Sequence, residues 1–316
     1  MKVLITGVAG FGGSGLAETL IQRGHQVTGV DIVAFTEAKR LGGTLNNITY
    51  LWKAVRDLDA ADIDGHDVVC DFAAQADVPM GYSSPRWTCS ENLPELIHLL
   101  EVVRKCSIQK FVYPGSGTIF GRPVYLPIDE NHPITPANPY SATKACAEVL
   151  CWAYHRCYGI PVVGLRNGVV YGPNMRKEIF IYKFLSNALQ GVPIIVEGGD
   201  QTRDPCYVTD TLQAWLKIIE APEAKVVGQT FQVSAGQEYT VTEIAQRCIE
   251  AAGRVVPIKV VDYRPGERGM RECFDISKAK TVLGYEPKVS LDQGLELTAR
   301  WVEKEIGEVR SRTVFT

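Results

Sequence analysis

No stretch of this chain approaches the roughly 20 consecutive apolar residues that a bilayer-spanning helix needs, so nothing in it reads as a membrane segment. An excess of one charge is missing too: 33 Lys and Arg stand against 36 Asp and Glu, a net charge of −3. That balance leaves no basic footprint for nucleic acid. Internal repeats, low-complexity tracts and long linkers are absent. Nine cysteines are present, but none forms a Cys-x-x-Cys pair. Their odd number and scatter argue against a disulfide framework or a zinc site and for reduced thiols. The Met1-Lys2 start leads straight into a strand-like run with no signal-peptide pattern. The expectation is a cytoplasmic protein with no membrane or nucleic-acid partner and no metal.

Glycine, by contrast, is plentiful and placed in a pattern. Lys2 to Thr6 is a short apolar run suited to a buried parallel strand. It enters Gly7-Val8-Ala9-Gly10-Phe11-Gly12-Gly13, after which Leu16 to Ile21 reads as an amphipathic helix. Gly7, Gly10 and Gly13 have the spacing for a tight turn, close backbone approach to a pyrophosphate and close helix packing. A diphosphate would sit on the free N–H groups at the helix start. The next strand, Gln26 to Val30, ends in Asp31, 18 residues beyond Gly13. That is close to the spacing of a carboxylate that binds an adenosine ribose, and it would repel a 2′-phosphate. NAD is therefore the expected cofactor.

Strand-like and helical runs alternate through about residue 165. Asp67 to Ala74, Lys110 to Tyr113 and Ile160 to Leu165 read as strands; Leu93 to Lys105 and Tyr140 to Tyr158 read as helices. Such alternation predicts an α/β fold, a Rossmann-type doubly wound parallel sheet. After Arg166 the pattern is mixed, with helices expected at Ile179 to Leu189 and Val241 to Ala252. The expected division is an NAD-binding domain over residues 1–165, with elements around 205–235 returning to it. Residues 166–316 would be mainly a smaller mixed α/β substrate lobe.

Tyr140 and Lys144 lie one helical turn apart on one face. A phenol ordinarily ionises near pH 10 and is a poor base at neutrality; a nearby ammonium stabilises its phenolate. Beside a nicotinamide ring, such a Tyr takes a proton from a substrate hydroxyl while hydride leaves the same carbon.

Together these motifs resemble an extended short-chain dehydrogenase/reductase of the NAD-dependent nucleotide-sugar epimerase/dehydratase branch. The other anchors are Ala73-Ala74, Gly115 to Gly121 around Ser116, Val170-Tyr171-Gly172-Pro173, Gln201 to Asp204 with Tyr207-Val208-x-Asp210, and Arg264-Pro265-Gly266-Glu267. The resemblance implies that Ser116, Tyr140, Lys144 and Thr118 are catalytic. It implies that Gly7, Gly10, Phe11, Gly13, Asp31, Ala73, Ala74, Tyr140 and Lys144 hold NAD. Ser116, Arg203 and Arg264 would bind substrate, the arginines by clamping a diphosphate. Arg176 or Lys177 would meet an acidic group on it. Family dehydratases carry an Asp-Glu pair at the positions of Gly117 and Thr118, and decarboxylases a Glu at the second. Neither position holds a carboxylate here, and no Cys lies near this loop as in 3,5-epimerases. The implied reaction is C4 epimerisation of a nucleotide-linked sugar, UDP-hexose above all; the alternative is an NAD-dependent oxidoreductase on a nucleotide-linked or free sugar. Relatives usually dimerise through the Tyr140 helix and the helix near Leu93 to Lys105, so a homodimer is expected.

Several positions depart from the pattern: Val8, Gly12 and Gly15 in the nucleotide loop, Ala54 where relatives often place an Asp near adenine, Pro114-Gly115 in place of small hydroxyl residues before Ser116, and Val169, where many 4-epimerases have an Asn. An extra glycine loosens a helix by about 0.5–1 kcal/mol, which predicts weaker grip on the cofactor.

Overall fold

The structure, a computed structural model, describes residues 1–313, with side chains to Gly307. The first half runs β1 (Lys2–Thr6), α1 (Phe11–Gln22), β2 (Gln26–Asp31), β3 (Thr49–Trp52), α2 (Ala60–Ile63), β4 (Val68–Asp71), α3 (Val78–Ser83), α4 (Pro85–Val103), β5 (Lys110–Ser116), α5 (Pro139–Tyr158) and β6 (Val162–Asn167). Val3, Leu4, Ile5, Val68, Val69, Phe111, Val112, Val162 and Val163 are wholly buried. Unbroken apolar runs of this kind suit parallel strands covered by helices on both faces.

The second half is more divided. It runs β7 (Val169–Tyr171), α6 (Phe180–Leu189), β8 (Ile194–Glu197), β9 (Thr202–Arg203), β10 (Pro205–Tyr207), α7 (Val208–Glu220), α8 (Glu223–Val226), β11 (Gln229–Val233), β12 (Tyr239–Thr240), α9 (Val241–Ala251), β13 (Ile258–Val261) and α10 (Leu291–Thr313). Seven strands form one sheet in the order β11-β6-β5-β4-β1-β2-β3, every pair parallel. The chain leaves β1 for β2 on one side and returns to β4 on the other, and the crevice at that reversal is where such sheets bind ligands. β11 and α7 belong to this layer, with α7 packed on α1. The remaining strands make the two-stranded pairs β7–β10, β8–β13 and β9–β12. Around them α6, α9 and α10 enclose a second core that includes Ile181, Leu185, Ile194, Ile244 and Leu295.

Several element boundaries shift by a few residues from the sequence reading, and two of the shifts have a visible cause. β4 ends at Asp71 rather than Ala74, because Phe72 turns away to fill space beside the glycine loop. α4 begins at Pro85 rather than Leu93 and runs through Pro94. Pro85 occupies the first turn, where a missing N–H costs nothing. Pro94 is exposed, and the carbonyl it leaves unpaired, that of Ser90, is on the same exposed surface.

Candidate active site

A cavity of about 800 Å³ opens beyond the carboxyl ends of the sheet strands and takes its walls from both halves of the chain. Its floor is the glycine loop. Gly7 has φ +65°, and a side-chain carbon there would lie 2.7 Å from the backbone of Phe72 and Ala73. At Gly13 the same carbon would lie 2.4 Å from the Gly7 carbonyl oxygen. Both positions therefore need glycine. α1 starts at Gly10 with no side-chain cap, leaving its first N–H groups for a ligand. Asp31 accepts the Ala9 N–H at 2.8 Å and the Val33 N–H at 3.0 Å, so its carboxylate ties the loop to the end of β2. Gly7, Gly10, Phe11, Gly13 and Ala74 line the cavity, whereas Asp31 and Ala73 stand outside its walls. The Ala73 N–H instead donates to the Thr6 hydroxyl.

The extra glycines are matched by large neighbours. At Gly12 a side-chain carbon would meet the Phe72 ring at 2.7 Å, and at Gly15 the Leu212 side chain at 2.9 Å. The Phe72 ring in turn packs on Trp215, ring centroids 4.4 Å apart. Val8 fills the space above Gly29 in the same way. Larger neighbours supply the volume that the loop gives up.

Another part of the cavity wall lies where β5 meets α5. Ser116 ends β5, and its Oγ is 2.9 Å from Thr118 Oγ1 and accepts the Thr118 N–H at 3.3 Å. Asn138 caps α5 by accepting the Ser141 N–H, and Pro139 opens the helix. One turn on come Tyr140 and Lys144, both nearly buried. Lys144 Nζ reaches the Pro114 carbonyl at 3.4 Å. Gly81 lets α3 approach Tyr140 closely; a side-chain carbon there would be 2.9 Å from Tyr140 Cβ. The buried Asn92 joins the loop after β4 to α5, accepting the Gln75 N–H at 2.8 Å and donating to Thr143 Oγ1 at 2.9 Å. Ser116, Thr118, Tyr140 and Lys144 all line the cavity, so the structure brings the four together.

The far end carries the arginines. Arg203 and Arg264 line the cavity, but each is paired with carboxylates: Arg203 with Glu267 at 3.2 Å and Glu272 at 3.7 Å, Arg264 with Glu197. Arg176 lines it too, with one guanidinium nitrogen donating to the Ala76 carbonyl at 2.6 Å; Lys177 does not. Sequence reasoning assigned no role to Phe180, Lys183 and Asn187, which line the cavity from one face of α6, or to the carboxylates Glu197, Glu267 and Glu272. Only the Arg-Pro-Gly-Glu motif gave a signal for any of these.

Burial pushes the Glu272 carboxyl above its ordinary range, with the Arg203 guanidinium opposing. Burial likewise raises Asp71 at the end of β4, opposed by the hydrogen bond from Thr6 (2.6 Å) and by the Lys144 ammonium.

The sequence profile described as the NAD dependent epimerase/dehydratase family matches residues 3–234. The chain belongs to that family. Members similar to it include the UDP-glucose 4-epimerase of Mycolicibacterium smegmatis, 30% identical over 95% of this chain and 98% of that one. The dTDP-glucose 4,6-dehydratase of an Actinoplanes species is 30% identical over 95% of this chain and 97% of that one. Among solved structures, the UDP-glucuronic acid 4-epimerase of Bacillus cereus, in complex with UDP-glucuronic acid and NAD, superposes with a TM-score of 0.89. It is 26% identical and covers 96% of this chain and 100% of that one. The family's NAD fits the residues present here: a loop with no room for side chains at positions 7 and 13, and a helix start with uncommitted N–H groups.

Proposed function

We propose that this member of the family is a nucleotide-sugar 4-epimerase, with a UDP-hexose as substrate. The observation that carries the reading is the hydroxyl pair of Ser116 and Thr118, facing the cavity with no carboxylate at position 117 or 118. Elimination of water needs a further acid–base group at that place, whereas inversion by oxidation to the 4-keto sugar and reduction from the other face does not. Bound NAD supplies hydride acceptance and return, and the protein supplies position. Tyr140 takes the proton of the C4 hydroxyl and gives it back. Ser116 and Thr118 hold the C4 oxygen, and the Lys144 ammonium steadies the phenolate. Asp31, outside the cavity walls at the end of β2, binds the adenosine ribose. Phe180, Lys183 and Asn187 form the base pocket. The substrate diphosphate takes Arg203 and Arg264 from their present carboxylate partners.

A retained cofactor separates this reading from a net oxidoreductase, and two bonds support retention. Arg40, in the loop after β2, donates to the Asn174 carbonyl at 3.0 Å, and Arg176 to that of Ala76, in the loop after β4. Both tie the segment after β7 to the NAD-binding layer. The proposed homodimer pairs α4 and α5 with their copies, through exposed Trp87, Ile97, Val149 and Tyr158. Nine unpaired thiols fit work in the cytoplasm. The test is proton NMR of the purified protein with UDP-glucose, UDP-N-acetylglucosamine and UDP-glucuronate in D₂O without added NAD. A C4 epimer without ring deuterium is expected. Ring deuterium, or turnover only on addition of NAD, overturns the reading.

A further inference from the structure

The hydroxyl pair at the reacting end has a support that lies far from it in sequence. A side-chain carbon on Gly117 would stand 2.3 Å from Phe274 Cζ and 3.1 Å from Cε1 and Cε2, so the tip of this ring occupies the place where residue 117 would carry a side chain. The ring is buried, with Phe120 on one side at 6.2 Å between centroids. Its backbone is fastened on two sides. The Phe274 N–H donates to the buried Asp204 carboxylate at 3.1 Å. Residues 273 and 275 bracket Ile128, by Ile128 N–H to Cys273 O at 2.7 Å and Asp275 N–H to Ile128 O at 2.8 Å. The same stretch reaches the substrate end, because Glu272 lines the cavity, pairs with Arg203 and donates its N–H to Thr202 Oγ1.

We propose that Phe274 is a positioning and specificity residue: its ring backs the turn at Gly117, sets the direction of the Ser116 and Thr118 hydroxyls, and keeps position 117 free of any side chain, an acid included. Gly117 and Phe274 form a matched pair. A catalytic carboxylate cannot be carried at 117 while the ring is there, so residue 117 adds no acid beside the hydroxyls of Ser116 and Thr118. The choice between inversion and elimination is thereby written in the second half of the chain as well as in the Ser116 loop. This rests on the epimerase reading for its chemistry, and on packing for its geometry.

The test is a cycle of Gly117→Ala, Phe274→Ala and the double variant, all loaded with NAD. Small displacements of a reacting group cost up to about a hundredfold in rate, so Gly117→Ala is expected to lower kcat by about that much in the native background. In the Phe274→Ala background the added methyl has room and changes kcat by no more than about twofold. Phe274→Ala alone lowers kcat by about tenfold and leaves KM and NAD content near native, since the arginines and the glycine loop are untouched. Equal effects of Gly117→Ala in both backgrounds, or a Phe274→Ala change confined to KM, overturn the proposal. If the native protein inverts none of the three UDP-sugars, the epimerase reading fails and the cycle is read in melting temperature without substrate. Gly117→Ala then destabilises only when Phe274 is present; equal shifts in both backgrounds overturn the pairing.

Discussion

Glu148 continues the face of α5 that carries Tyr140 and Lys144, two further steps of four residues along from Tyr140, and it ends in a buried ion pair. Arg166, on the neighbouring β6, donates to it at 3.0 Å from Nε and 2.5 Å from Nη2, and sends Nη1 to the Glu130 carbonyl at 3.0 Å. Both side chains are almost sealed from water, at 4% and 6% exposure. The pair lies directly behind β5: a side-chain carbon at Gly115 would be 3.0 Å from Arg166 Cγ and 3.4 Å from Glu148 Oε2. Glu148→Gln keeps the shape and removes the countercharge, leaving a buried guanidinium with only neutral partners, the Glu130 carbonyl among them. Breaking such a pair from one side costs about 3–5 kcal/mol. At about 2 °C per kcal/mol for a domain of this size, the melting temperature of the NAD-loaded protein should fall by about 6–10 °C. Removing both charges with Glu148→Met and Arg166→Met should restore most of that loss, because two apolar groups of similar volume carry no desolvation penalty. Differential scanning fluorimetry on the two single variants and the double one reads the cycle. A Glu148→Gln shift below about 2 °C, or a double variant worse than the sum of the singles, refutes the argument that desolvation makes this pair indispensable to one partner only.

Other outcomes follow from the same geometry. Tyr140→Phe should cut turnover by about 10²–10⁴-fold, the range of a general acid–base group, while the purified protein keeps its NAD; loss of cofactor together with activity would point to a structural role. Asp31→Ala removes the acceptor of the Ala9 N–H, so isothermal titration should show weaker NAD binding and a smaller preference over NADP. Unchanged preference would remove Asp31 from the ribose site. Burial pushes the Asp204 carboxyl up to about 7 despite the N–H groups it accepts. Its folded value lies above the ordinary one, so its stabilising contribution is full at pH values below about 4. That contribution declines as pH rises toward 7. Asp204→Asn should lower stability overall and flatten that slope; a slope equal to the native one would assign the pH dependence to another group.

The regularities that repeat along the chain are legible in the order of residues alone. Apolar runs bounded by glycine mark the parallel strands, because a strand covered on both faces has little choice of composition. Gly7 and Gly13 are readable because backbone approach leaves only one residue type possible. Tyr140 and Lys144 are readable because a helix fixes which residues share a face. The extent of α4 is not: the reading from Leu93 left out the first eight residues of the helix, Pro85–Asn92, which precede its regular apolar spacing.

What the sequence could not supply was the partner of each departure from pattern. Gly12 and Gly15 look unmatched until Phe72 and Leu212 are seen filling the space beside them, and Gly117 looks featureless until Phe274 arrives from 157 positions away. The arginine pairs with Glu197, Glu267 and Glu272, and the cavity wall on α6, were hidden for the same reason. Sequence spacing sets local geometry through bond lengths and backbone angles, which act over a few residues. Volume and charge compensate through contact, and contact between distant residues exists only once the chain has folded.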